Sequence, residues 1–141
     1  MKGTHMIKPI VTSLIMLRLP SEEATPDDAQ VGQDLIDTLE AHAHECVGMA
    51  ANMIGVRKRI IVVRDGTKTR LMYNPDIIKG TGEYRAQEAC LSLDGVRPAA
   101  RWRRIKVSYL DEEFHRHVRS FTGDVAQAIQ HEVDHCNGVI I

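Results

Sequence analysis

The chain has 141 residues, enough for one domain with a real core, and at 43% hydrophobic and 26% charged it is excluded from the disordered class. Eighteen basic residues against nineteen acidic leave a net charge of -1, which gives no bulk attraction to nucleic acid or to an anionic membrane, so neither is an expected partner. No apolar run approaches the roughly 18 residues that a helical membrane span requires.

Residues 1–5 read as an expression-derived leader, with Met6 as the natural start, and 6–141 as a single domain with no secretory signal before it. Residues 7–16 are ambiguous in secondary structure. Thr25-Pro26-Asp27-Asp28 is a strong helix start: Thr25 caps, Pro26 suits the first helical position, and the two aspartates face the positive end of the dipole. Val31, Leu35, Ile36, Leu39 and Ala43 then recur at helical spacing, which predicts a helix over 26–45. From 46 to 54 the chain is small and apolar, with Gly48, Ala50 and Ala51, residues that let a backbone approach a ligand or another strand closely.

Segments 59–63, 70–73, 77–78 and 84–90 are rich in strand-forming residues, with Asp65-Gly66 marking a turn between the first two. Residues 105–109 alternate as a half-buried strand, and 115–121 is expected to pair with them through the polar turn at Asp111-Glu112-Glu113. A last helix runs from Gly123 or Asp124 to Cys136, stopped by Asn137-Gly138. Its apolar residues lie on several sides, which predicts burial. Strands segregated from one early and one late helix give an α+β fold. Cys46, Cys90 and Cys136 are odd in number, far apart and free of any C-x-x-C pair, so a disulfide framework is not expected and a reducing cytoplasm fits best.

The strongest chemical signal is His131-Glu132-Val133-Asp134-His135 on that last helix. Histidines at i and i+4 share one helical face and reach one metal ion, and a glutamate directly after the first acts on the ion's water. Two imidazoles and a carboxylate buried without a partner would be costly. A catalytic ion needs a third protein ligand and an open position. Nothing after His135 supplies one, so the candidates lie upstream: Cys46, Cys90, Asp94, Glu88 and the other histidines. Cys90, at the end of a predicted strand, is preferred. Asp134 and Gln130 are candidates for supporting or capping groups.

Three segments together resemble the peptide deformylase family, whose motifs are G-x-G-L-A-A-x-Q, E-G-C-L-S and Q-H-E-x-D-H. The third is intact as Gln130-His131-Glu132-Val133-Asp134-His135, the second nearly so as Glu88-Ala89-Cys90-Leu91-Ser92, and the first stands as Cys46-Val47-Gly48-Met49-Ala50-Ala51-Asn52-Met53. The resemblance implies that Cys90, His131 and His135 ligate the metal and that Glu132 is general base and acid, with the Leu91 backbone N–H as an oxyanion donor. It implies Fe²⁺ as the usual ion, with zinc, nickel or cobalt as substitutes. The fold it implies is antiparallel sheets around a central metal-binding helix. The reaction it implies is removal of the formyl group from N-formylmethionyl peptides on new bacterial polypeptides. Gly48, Met49, Met53, Ile129 and Arg97 are the implied substrate contacts, and thiolate ligation makes a ferrous site sensitive to oxidation.

The departure that matters is Met53, where the family has a glutamine whose amide donates to the oxyanion. Losing one such donor costs about 10²–10³ in rate. Cys46 stands for the motif's first glycine and Ala89 for the glycine before the ligand cysteine. The chain ends soon after the motif helix, so ribosome docking through a further C-terminal helix is not predicted. Two readings remain: a working deformylase, or a deformylase-like peptide- or metal-binding protein with weak or no turnover. A general metalloprotease is disfavoured by the upstream cysteine ligand.

Overall fold

The computed structural model describes residues 6–140; the leader expected at 1–5 lies outside the described residues. Helix α1 is a single turn, Leu14–Leu17, capped by Ser13. Thr25 caps a 3-10 turn, Pro26–Asp28, in a reciprocal box with Asp28, and the chain then winds into α2, Ala29–Ala41. The helix expected to reach residue 45 therefore ends four residues early, because His42–Glu45 closes as a hydrogen-bonded turn, with Glu45 N and Cys46 N both donating to His42 O. That turn brings Cys46 round to the start of a short strand.

Five strands form one antiparallel sheet in chain order: β1 Gly48–Ala50, β2 Ile60–Asp65, β3 Lys68–Cys90, β4 Leu93–Leu110 and β5 Arg116–Thr122. Three segments expected as separate strands, 70–73, 77–78 and 84–90, are one continuous β3. Register shifts between Tyr73 and Asp76 and between Ile77 and Lys79 interrupt its pairing with β4, so the side-chain alternation slips and the sequence reads as pieces. β4 likewise starts well before the alternating stretch at 105–109. The β2–β3 turn falls at Asp65-Gly66 and the β4–β5 turn at 111–115, as the turn residues indicate.

Helix α3, Gly123–Cys136, packs on β1, β2 and β4 and buries nine of its fourteen residues, including Gln130, His131, Glu132 and His135. Its last turn closes on Gly138 (φ 72°), a conformation that favours glycine. Two amides tie the helix down. Gln130 accepts from Trp102 N (2.8 Å) and donates to Trp102 O (2.9 Å), taking the place of a neighbouring strand where β4 extends past β5. Asn52, from the 3-10 turn Ala51–Ile54 after β1, donates to His135 O (2.9 Å). Buried Leu35, Leu39, Ile60, Ile61, Val62, Val63, Met72, Ile105, Val107 and Ile129 fill the core between helices and sheet. Among the described residues, no helix is long and apolar enough to cross a membrane.

Candidate metal centre

Two strands converge on α3. β3 ends at Cys90, α3 carries His131 and His135 one turn apart, and β1 passes over Glu132. The ligating atoms of Cys90, His131 and His135 all lie within 4.8 Å of one another, and all three residues are buried. The Cys90 Sγ is 3.2 Å from His135 Nε2. Of the upstream candidates, only Cys90 joins the histidines among the described residues: Asp94 is exposed, Cys46 lines the neighbouring cavity, and Glu88 stands behind His131.

Glu88 and Cys90 are two apart on a strand, so both side chains leave β3 on the same face, toward the helix. Glu88 Oε1 accepts from His131 Nδ1 at 2.8 Å, which leaves Nε2 as the ring's free nitrogen. Arg101 grips the same carboxylate at 2.7 and 2.9 Å, and Gln127 adds a fourth hydrogen bond at 2.9 Å. Burial alone would raise the Glu88 carboxyl, but these donors outweigh it and hold it at about 2. Burial pulls His131 down, yet the ring's hydrogen bonds to Cys90 and Glu88 prevail and hold it up at about 10, so the surroundings favour positive charge there. His135 is pushed down to about 4 by burial and by His131, which keeps it neutral as ligation requires.

Glu132 is buried, and burial pushes its carboxyl up to about 7, the range of a group that both takes and returns a proton. Its Oε1 and the Nδ1 of His135 are buried without a hydrogen-bond partner. A thiol, two imidazoles and an orphaned buried carboxylate oxygen beside them fit a divalent ion with a bound water, and the mixed sulfur and nitrogen set suits borderline ions such as Fe²⁺ and Zn²⁺.

Gly48 is where β1 crosses the carboxylate. A Cβ there would stand 3.0 Å from Glu132 Oε2 and 3.3 Å from Val62 O, tighter than ordinary contact. Gly48→Ala is expected to lower stability by about 1–3 kcal/mol through overpacking. An unchanged thermal midpoint would show that the crossing has room to spare.

A cavity of about 710 Å³ opens onto the centre, lined by Cys46, Gly48, Met53, Cys90, Leu91, His131 and Glu132 among others. Cys46 donates its thiol to Gly48 O (3.3 Å), and burial pushes that thiol up to about 11. Met53 is 1% exposed and its Sδ accepts from Ala50 N at 3.5 Å; the neighbouring Asn52 amide is committed to His135 O. Met49 and Ile129 are fully buried in the core. Arg97 donates to Asp94 O (3.1 Å) and is not among the cavity's lining residues.

Arg101, Gln127 and Tyr84 escaped the sequence reading. Arg101 sits in Arg101-Trp102-Arg103-Arg104, a run that reads as solvated surface, yet it is 5% exposed while Arg103 and Arg104 face solvent. Half-buried Tyr84 donates to Gln127 (3.3 Å) and extends the network along β3.

Comparison with known proteins agrees with this geometry. A sequence model of the family described as polypeptide deformylase matches residues 9–141. A peptide deformylase of Clostridium beijerinckii is 51% identical over 136 residues, 96% of this chain and 100% of that one. The actinonin-bound class I type b peptide deformylase of Acinetobacter baumannii superposes with a TM-score of 0.85 at 26% identity, over 96% of this chain and 95% of that chain. The peptide deformylase of Thermotoga maritima gives 0.86 at 28% identity, over 97% and 95%.

Proposed function

The chain belongs to the polypeptide deformylase family, and on that premise we propose that Cys90, His131 and His135 hold one divalent ion, with Glu132 as the proton carrier of a hydrolase that deformylates N-formylmethionyl peptides. The observation that carries the proposal is the buried convergence of one sulfur and two imidazoles beside a carboxylate raised to about 7. When bound, the ion supplies a Lewis acid and an acidified water. The native ion is Fe²⁺ by the family resemblance, with Zn²⁺ or Ni²⁺ as substitutes.

The remaining chemistry belongs to the chain's own groups. Glu132, held in a dry wall with Oε1 unpaired, accepts a proton from the attacking water and returns it to the leaving amine. The Leu91 N–H, at the cavity, faces the oxyanion. Among the described residues β1 lies at the sheet's edge, paired only with β2, so an extended peptide can add beside Gly48 and Met49 as a further strand. A peptide N–H is a stronger donor than the Cys46 thiol and displaces it from Gly48 O. Ile129 beneath the wall supplies apolar backing for the methionine side chain, and Arg97 meets the peptide beyond it. Free thiols at Cys46, Cys90 and Cys136 suit a reducing cytoplasm.

Hydrolysis of a formyl-Met peptide by anaerobically purified ferrous protein tests the function. Turnover no higher than that of the metal-stripped protein would reject it. Cys90→Ser is expected to weaken metal binding by more than the roughly 10–100-fold that loss of an outer partner costs. Unchanged metal content in that variant would remove Cys90 from the centre.

A further inference from the structure

Behind His131 lies a buried charged cluster that the proton chemistry above does not use. A carboxylate offers about four acceptor positions, and on Glu88 all four are filled. Oε1 accepts from His131 Nδ1 (2.8 Å) and Arg101 Nη2 (2.7 Å), and Oε2 accepts from Arg101 Nε and Gln127 Nε2 (both 2.9 Å). The remaining arm of Arg101, Nη1, donates to Asp134 Oδ2 (2.7 Å) and, more weakly, to Ala100 O (3.3 Å). Such a cluster is a poor way to stabilise a core, since apolar residues of similar volume serve stability as well or better. Its geometry accomplishes something else.

Glu88 also borders the open cavity. Without the two-pronged grip from behind, its carboxylate would be free to turn toward cavity water and abandon the His131 ring. A lysine could supply the charge but not the planar fork that fixes a carboxylate's orientation.

We propose that Arg101 is a positioning residue for the metal centre: it clamps Glu88 against His131 Nδ1, which keeps Nε2 as the nitrogen facing Cys90 and His135, and Asp134 in turn anchors Arg101. The inference rests on the metal reading above and adds to it the residues that set the affinity of the site. Asp134 serves this clamp from the same helix turn that carries His135, which gives the acidic residue of the motif a role of its own.

The test uses metal-stripped full-length protein titrated with Zn²⁺ in competition with a chromophoric chelator. Long-range ¹H–¹⁵N correlation of the zinc-loaded protein follows the His131 ring in parallel. Wild type is expected to take one zinc and to show a protected His131 Nδ1–H. Arg101→Met is expected to bind zinc about 10–100-fold more weakly and to lose that protection. Arg101→Lys should fall between the two, and Asp134→Asn should shift in the same direction by less. Wild-type affinity and an intact Nδ1–H signal in Arg101→Met would overturn the inference while leaving the metal reading untouched. Failure of wild type itself to bind zinc would overturn both. Should Arg101→Met not fold, Asp134→Asn decides, because its side chain is 25% exposed and tolerates the change: weaker binding supports the clamp, and wild-type binding overturns it.

Discussion

Glu132→Gln is expected to lower kcat/KM for a formyl-Met peptide by about 10²–10⁴ while leaving one ion bound per chain. The amide matches the carboxylate in size, so the tight crossing of Gly48 over this side chain is preserved. What disappears is the group that burial has tuned to about 7. Glu132 contributes no atom to the converging donor set, so metal content should not move. Metal analysis beside steady-state kinetics separates the outcomes. Activity within a few-fold of wild type would take the proton role from Glu132, and loss of the ion would make it a ligand instead.

Met53→Gln should work in the opposite direction, raising kcat by about 10-fold or more, up to the 10²–10³ that one oxyanion donor is worth. The thioether is buried, borders the cavity, and offers only an acceptor, which Ala50 N–H now occupies at 3.5 Å. An amide of the same length gives Ala50 a stronger acceptor in its carbonyl oxygen and turns its NH₂ toward the reacting carbonyl. Asn52 cannot substitute in the present chain, because its amide is tied to His135 O. The gain should appear in kcat with KM nearly unchanged, since the donor acts on charge that develops only in the transition state. An equal rate in the two proteins would show that this position does not serve the oxyanion.

The helix that carries the centre was legible from local chemistry. Its start at Gly123, its stop at Asn137-Gly138, and the shared face of His131 and His135 all follow from periodicity and capping, and the structure keeps them. Cys90 is different. Spacing along the chain left several ligands open, and only the pairing of β3 with β4 and the packing of α3 against them bring its sulfur to the histidines. Glu88 was named as a candidate ligand, but the strand's alternation places it alongside Cys90 on the helix-facing side, where it serves His131 instead. Arg101 was invisible because Arg103 and Arg104 in the same run face solvent as charged residues do, and the burial of Arg101 is a property of the assembled sheet.

The long strands were hidden for a similar reason. Bulges in β3 break the two-residue period on which a strand reading depends, and Asn74 at φ 51° marks the first break. α2 was overextended because helical spacing of apolar residues continues into the turn that follows it. In both cases the local pattern was real, and tertiary pairing decided where the element ended.

X-ray absorption at the metal edge of anaerobically purified protein addresses the central assignment most directly. One sulfur scatterer at about 2.3 Å and two imidazole nitrogens at about 2.0–2.1 Å, the distances of a zinc-loaded Cys-His-His site, are the expected result, with the sulfur lost in Cys90→Ser. A shell of nitrogen and oxygen alone in the wild type, or a sulfur that persists when Cys90 is replaced, would contradict it.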